Sequence, residues 1–438
     1  MNAILMNIVY FILAEAFYRL KLSESWRGLQ KSQEGFSKED KEALNALVAM
    51  VLVPIFQSEY GLICSIENMA KYVLYRIFKK AFLWDSKPQN KRFLEQKIDF
   101  DAEAKKYVKE CIRKMLNEYR EEENYKAACA LATDVLSQTD AKYRASFSYS
   151  VLASSPATEE DIERLADWIC GDLANCDPNV EYIYEAAKDL TTVIEYEEVR
   201  DNLRADAVDE IKKSVYSKLD KFHDHPIIYE IALGTGKYGK LNQLLHTISW
   251  ARYTFRWQGY KMTIRCSILT HMLETGLLGY VAAYEGLQKA TNEQEYAERK
   301  AMMEKAFKVG LFHDVAEIWT DDIPSPAKDG MGIRPLAEEQ ELHAIEEKFY
   351  PNLPEYVVEF FRNGVMLEDT KDLREKSFYK AADYFSADLE VWWNIRAGAR
   401  DKRLLRILQK SLKCERTPGQ LTSIQYFLLE MKGVKFYL

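Results

Sequence analysis

The segment 311–328, LFHDVAEIWTDDIPSPAK, concentrates the side chains best suited to chemistry. His313 and Asp314 are adjacent, Glu317 follows three residues on, and Asp321 and Asp322 precede a proline-rich loop. Imidazole nitrogen and carboxylate oxygen both ligate divalent cations. Adjacent residues of a helix point about 100° apart, so His313 and Asp314 reach one ion only if it is clamped between helices. Glu317 lies one turn further and can face the same cavity, placed for proton transfer rather than ligation. Further ligands must come from elsewhere. His271 lies in the apolar helical stretch SILTHMLETGLLGYVAAY, and Asp383 in FYKAADYFSADLEVWW. A carboxylate in such a setting is costly to bury unless it is paired or ligated. Taken singly, each also reads as a hydrogen-bonded core residue. A second His-Asp pair, His223-Asp224, has neither an apolar helix around it nor a Glu three residues on, and reads as a surface loop.

The combination is more specific than its parts. The order His271, His313-Asp314, Asp383 resembles the HD superfamily of metal-dependent phosphohydrolases. Arg256-Trp257 upstream of the first histidine, and H-D-x-x-E followed by T-x-D-[ILV]-P-[ST]-P-x-K, narrow the resemblance to the bacterial 5′-deoxynucleotidases, over about residues 240–438. The resemblance implies a helical HD-domain bundle with His271, His313, Asp314 and Asp383 as ligands of one divalent ion, for which Mn, Co, Mg, Fe and Zn are all compatible. It places Glu317 and Asp322 beside the scissile phosphate, Arg256 on the phosphate, Trp257 against the sugar where it disfavours a 2′-hydroxyl, and Lys328 in the neighbouring loop. The family usually has Glu before the first histidine and Ser after it; here Thr270 and Met272 stand there. The implied activity is hydrolysis of deoxynucleoside 5′-monophosphates to deoxynucleoside and phosphate. Two alternatives share the ligand set: an HD hydrolase of nucleoside triphosphates or a signalling nucleotide, and a non-catalytic helical binding module.

One feature independent of the family fits an anionic substrate. Between Lys240 and Leu273 there is no Asp or Glu, while Lys240, Arg252, Arg256, Lys261 and Arg265 fall in that stretch. It reads either as a positive wall opposite the metal or as a surface docking on an acidic part of the chain. The run Gly234–Gly239 fits G-x-G-x-x-G, but no strand precedes it and no acidic residue follows at the required distance, so it reads as a turn.

The elements that must position these residues are helical. Residues 42–57, 103–117 and 266–284 repeat apolar positions at i, i+3, i+4 and i+7, and alternating strand pairs are missing from the pattern. Pro54 is expected to kink or end its helix, and Trp392-Trp393 to pack the last core helix. The expected architecture is all-α, an HD bundle over 226–438 preceded by a second helical domain over 1–225. Residues 226–438 carry 29 basic and 29 acidic side chains, whereas 1–225 carry 31 and 39 and so hold the whole net charge of −8. That balance argues against a nucleic-acid polymer or an anionic membrane as partner and leaves a small nucleotide as the expected one. The N-terminal part reads as a regulatory, oligomerising or partner-binding region, with a homodimer as one expectation and a degenerate second HD-like copy, faintly echoed in 62–84, as another. Seven scattered cysteines without C-x-x-C speak against a disulfide framework or structural zinc site and fit a reducing compartment. The apolar run 3–14 is shorter than the roughly 18–20 residues that span a bilayer and is expected to be a buried helix of a cytoplasmic protein.

Overall fold

The apolar 3.6-residue period produces fifteen α-helices among the described residues. They are α1 (Ala3–Lys21), α2 (Lys38–Tyr60), α3 (Ile66–Phe82), α4 (Phe100–Glu121), α5 (Glu159–Asp167), α6 (Pro178–Val199), α7 (Val208–Tyr216), α8 (Ile227–Leu233), α9 (Gly239–Ser249), α10 (Ile268–Leu287), α11 (Glu293–Phe312), α12 (Glu317–Thr320), α13 (Arg334–Ala344), α14 (Glu355–Phe361) and α15 (Leu373–Arg396). The computed structural model describes residues 3–23, 37–82, 99–121, 158–173, 175, 177–203, 205, 207–287, 290–321, 323, 328, 330–362, 373–404 and 407. Asp322 and Cys129, Cys176 and Cys414 lie outside these. Among the described residues the β-type pairing is one isolated antiparallel bridge, Phe255 to Ser267, and the fold is all-α as expected.

Helix α10 is central, packing on α11, α15 and α2. Its close approach to α11 is made by glycines. A Cβ on Gly310 would lie 2.6 Å from Gly276 Cα, and Gly279 faces Ala306, so the two helices run antiparallel with their backbones in contact. The N-terminal helices join the same assembly: α2 packs on α6, α10 and α14, and α3 on α11. One apolar core therefore runs from Val9 to Leu404 across both halves of the sequence. Trp393 is fully buried in it, edge-on to Phe17. His225 packs on Tyr60 and Phe56 just ahead of α8.

Pro54 does not end its helix. α2 begins at a capping box between Ser37 and Asp40, runs through the buried proline, and stops at Gly61 with φ 66°. Burial of residues 42–56 against neighbouring helices prevails over one missing amide hydrogen bond. By length and composition α2 is also long and apolar enough to cross a membrane, but most of it is enclosed by protein, as in a core helix. The glycine run after α8 is a turn and short 3₁₀ segment. There Glu230 Oε2 accepts the Lys237 amide at 3.1 Å, so an internal carboxylate occupies the position a bound phosphate would need.

Candidate metal centre and active site

Three helices converge on the candidate site. α10 carries His271 in its first turn, α15 carries Asp383, and the turn after α11 carries His313 and Asp314. That turn departs from regular α-helix. The amides of Val315, Glu317, Ile318 and Trp319 each bond the carbonyl three residues back, and His313 and Asp314 lie at the start of this turn. His271 Nε2 lies 3.1 Å from Asp383 Oδ1 and 3.5 Å from Asp314 Oδ2. His313 Nε2 lies 3.2 Å from Asp314 Oδ2 and 3.9 Å from Asp383 Oδ1. Ligand atoms about 2.1 Å from a shared ion stand about 3.0–3.4 Å apart in octahedral or tetrahedral geometry. The His271–Asp383 and His313–Asp314 separations fall in that range and the other two are wider; His271, His313 and Asp383 together form a group whose ligand atoms all lie within 4.8 Å of one another and could hold a metal ion.

Both imidazoles are set up as ligands. His313 Nδ1 lies 2.8 Å from the Gly310 carbonyl and so carries its proton there; Nε2 is buried and makes no hydrogen bond of acceptable geometry. His271 Nδ1 lies 3.0 Å from Ser386 Oγ, whose own proton goes to Glu274 Oε2 at 2.7 Å. The serine oxygen therefore accepts from Nδ1, leaving Nε2 towards the aspartates, where a metal ion would take the place of its proton. His271, His313 and Asp383, with the Nδ1 of each ring satisfied by a neighbour, could hold a divalent ion, and Asp314 stands beside them. Asp314 and Asp383 keep 18% and 21% of their side chains exposed, so the site opens on one side.

The electrostatics agree with a cation site. Burial and Arg256 oppose charge on His271, yet Asp383 and Glu390 prevail and push its pKa up to about 9. Burial would raise the Asp314 carboxyl, but His313, His271 and Arg256 hold it well below the ordinary range. Asp383 is likewise lowered, against burial, by His271. Glu390 is held at about 2 because Arg256 and His271 prevail over burial.

Arg256 and Trp257 stand at the rim. A short crossing of the chain, with the Arg256 amide on the Cys266 carbonyl and the Ile268 amide on Thr254, sets them against the start of α10. Arg256 Nη1 donates to Asp314 Oδ2 at 3.2 Å and Nε to Glu390 Oε2 at 3.3 Å. Trp257, at φ 63°, donates Nε1–H to Glu390 Oε2 at 2.5 Å and meets Tyr260 edge-on. Glu317 is buried at the start of α12, and Lys328 Nζ lies 3.9 Å from its Oε1 and 2.7 Å from Glu341 Oε1. Asp322 falls outside the described residues. The acid-free stretch does not form a wall of five cations. Arg252 is buried beside Glu195 and Glu198 of the N-terminal region, so that part docks there. Arg256 is the cation of the stretch seen among the site carboxylates. His223 and Asp224 are exposed and distant in sequence from this cluster, paired with each other.

Sequence reasoning missed Glu274, Ser386 and Glu390. Each was marked by a polar residue recurring on the face of a ligand helix: Glu274 one turn after His271, and Ser386, Glu390 and Asn394 following Asp383 at helical spacing. Asn394 Oδ1 accepts the Thr263 and Ile264 amides at 2.7 Å each and so anchors the loop leading into α10. No curated protein gives a significant match to the chain. Residues 243–432 match the family model described as 5′-deoxynucleotidase YfbR-like, within the HD superfamily. The two histidines and two aspartates thus fall inside the matched segment, and residues 243–432 of this chain are similar to the YfbR-like 5′-deoxynucleotidase family.

Proposed function

We propose that the protein is a divalent-metal phosphohydrolase that converts deoxynucleoside 5′-monophosphates to deoxynucleoside and phosphate in the cytoplasm. The observation that carries this reading is the convergence of His271 Nε2, His313 Nε2, Asp314 Oδ2 and Asp383 Oδ1 beside Arg256. A divalent ion held by those four side chains supplies Lewis-acid polarisation of the phosphoryl group and lowers the pKa of water. Arg256 binds the phosphate through its guanidinium fork and stabilises charge developing on it. Glu317, buried one turn beyond Asp314, receives the proton of the attacking water. Asp322 shares that task on the strength of the family resemblance. Lys328, held by Glu341 beside Glu317, keeps a positive charge behind the acid. Trp257, tied to Glu390 through its indole N–H, borders the sugar.

His313→Ala and Asp314→Ala test the assignment. Both are expected to lose bound metal and phosphate release together. Full metal occupancy in both variants would sink it.

A further inference from the structure

Lys21 is the last residue of α1, a position where lysine ordinarily faces water beside the helix carboxyl end. Here its side chain is only 2% exposed. A buried ammonium is costly unless it is paired, and this one has two carboxylates within ion-pair distance and one hydroxyl acceptor. Nζ lies 2.6 Å from Glu274 Oε1, 2.9 Å from Thr270 Oγ1 and 3.1 Å from Glu39 Oε2. Thr270 and Glu274 flank His271 on α10, whereas Lys21 and Glu39 come from the N-terminal helices.

The contacts continue to the metal ligands. Glu274 uses its second oxygen to accept the Ser386 hydroxyl, and Ser386 accepts the Nδ1 proton of His271. A second link runs in parallel. Asp40, whose Oδ2 caps α2 through Ser37, takes the Ser267 hydroxyl on Oδ1 at 2.7 Å. Ser267 in turn accepts the Thr270 amide at 3.1 Å and so caps the first turn of α10. The orientation and the tautomer of His271 are therefore both tied to residues before position 41. Those residues lie outside the segment 243–432 that matches the nucleotidase family.

We propose that the N-terminal region is a built-in part of the metal centre, in which Lys21 is a positioning residue that holds His271 as a ligand through Glu274 and Ser386. Lys21 fixes one oxygen of Glu274, which fixes the rotor of Ser386, which fixes the proton of His271 on Nδ1. Without Lys21 the Glu274 carboxylate faces Glu390 and Glu39 in the core with no ammonium between them, and it turns or takes up a proton. Either change withdraws the acceptor that aligns Ser386. The inference rests on the metal-centre reading above and adds a role for the N-terminal helices.

The test uses the full chain, stripped of metal and titrated with Co(II), whose visible absorption reports ligand geometry as well as affinity. Lys21→Met and Ser386→Ala are each expected to weaken Co(II) binding about tenfold to a hundredfold, as for other residues that orient ligands, and to change the absorption spectrum. The double variant should be no weaker than the poorer single variant, because both interrupt the same chain of contacts. Ser386→Thr keeps the hydroxyl and should bind within a few-fold of wild type. Lys237→Met removes a lysine paired with Glu59 on the surface and should leave affinity and spectrum unchanged. If Lys21→Met does not fold, Ser386→Ala decides, since it removes one oxygen and leaves the ion pair in place. Wild-type affinity and spectrum in folded Ser386→Ala would overturn the inference while leaving the metal centre standing. A wild-type chain that binds no divalent ion overturns both.

Discussion

Replacing Gly310 by alanine should disable the metal centre while leaving the chain folded. A Cβ at Gly310 would fall 2.6 Å from Gly276 Cα and 2.7 Å from Gly276 N. Non-bonded carbons settle at about 3.5–4.0 Å, and the obstructing atoms are backbone, so α10 and α11 must part by about 1 Å. Overpacking of this kind costs about 1–3 kcal/mol, and the better helix propensity of alanine returns about 1 kcal/mol. The net loss of about 0–2 kcal/mol lowers Tm by a few degrees at most. The site is hit harder, because His271 precedes Gly276 on α10 and His313 follows Gly310 at the end of α11. A parting of about 1 Å is several times the roughly 0.2 Å latitude in ligand distance. A displacement of that size costs on the order of 100-fold in a positioned site. Co(II) titration and phosphate release in Gly310→Ala measure the effect. Gly171→Ala, where a Cβ meets nothing within 4 Å, serves as the control. Wild-type metal affinity in folded Gly310→Ala would refute the idea that this helix contact sets the ligand geometry.

Metal affinity should rise with pH by up to about tenfold per unit until His271 loses its proton near 9, because ligation requires the neutral ring. Titrations of the metal-free chain between pH 6 and 9 check this; a flat profile contradicts it. In the same metal-free chain His271 is raised from its ordinary 6.5, so it adds stability that is fully present below about pH 6.5 and fades as pH rises through 9. Denaturant midpoints across that window give the sign. Trp257→Ala should relax a preference for deoxyribose of about tenfold to a hundredfold, the scale expected when a 2′-hydroxyl is desolvated without a partner. Arg256→Ala should instead weaken all phosphorylated substrates alike. Paired kinetics on ribo- and deoxyribonucleotides separate the two, and equal wild-type rates on both sugars would remove the basis for placing Trp257 at the sugar.

The helices were legible because their signal is local. Apolar residues at helical spacing in 42–57, 103–117 and 266–284 reappear as α2, α4 and α10. His271, His313, Asp314 and Asp383 were legible by residue type and order, and they do meet in space. What the sequence hid depends on partners far along the chain. Arg252 reads as one more cation until Glu195 and Glu198 are seen beside it. Lys21 reads as a helix-terminal surface residue until α10 and α2 enclose it. Pro54 signals a break only while its helix is considered alone; enclosed by its neighbours, α2 continues to Tyr60. The His313-Asp314 pair is likewise settled only in space, where the two stand 3.2 Å apart in a turn that ends α11 and face residues of α10 and α15.

The central claim is tested most directly by phosphate release from a panel of deoxy- and ribonucleoside mono- and triphosphates. The protein is stripped of metal, then assayed alone and with Mn(II), Co(II) or Mg(II). Release from deoxynucleoside 5′-monophosphates that appears only after metal is restored, and is absent in Asp314→Ala, is the predicted result. Release that persists in the metal-free protein or in folded Asp314→Ala would contradict the account, as would no release from any nucleotide with any of the three ions.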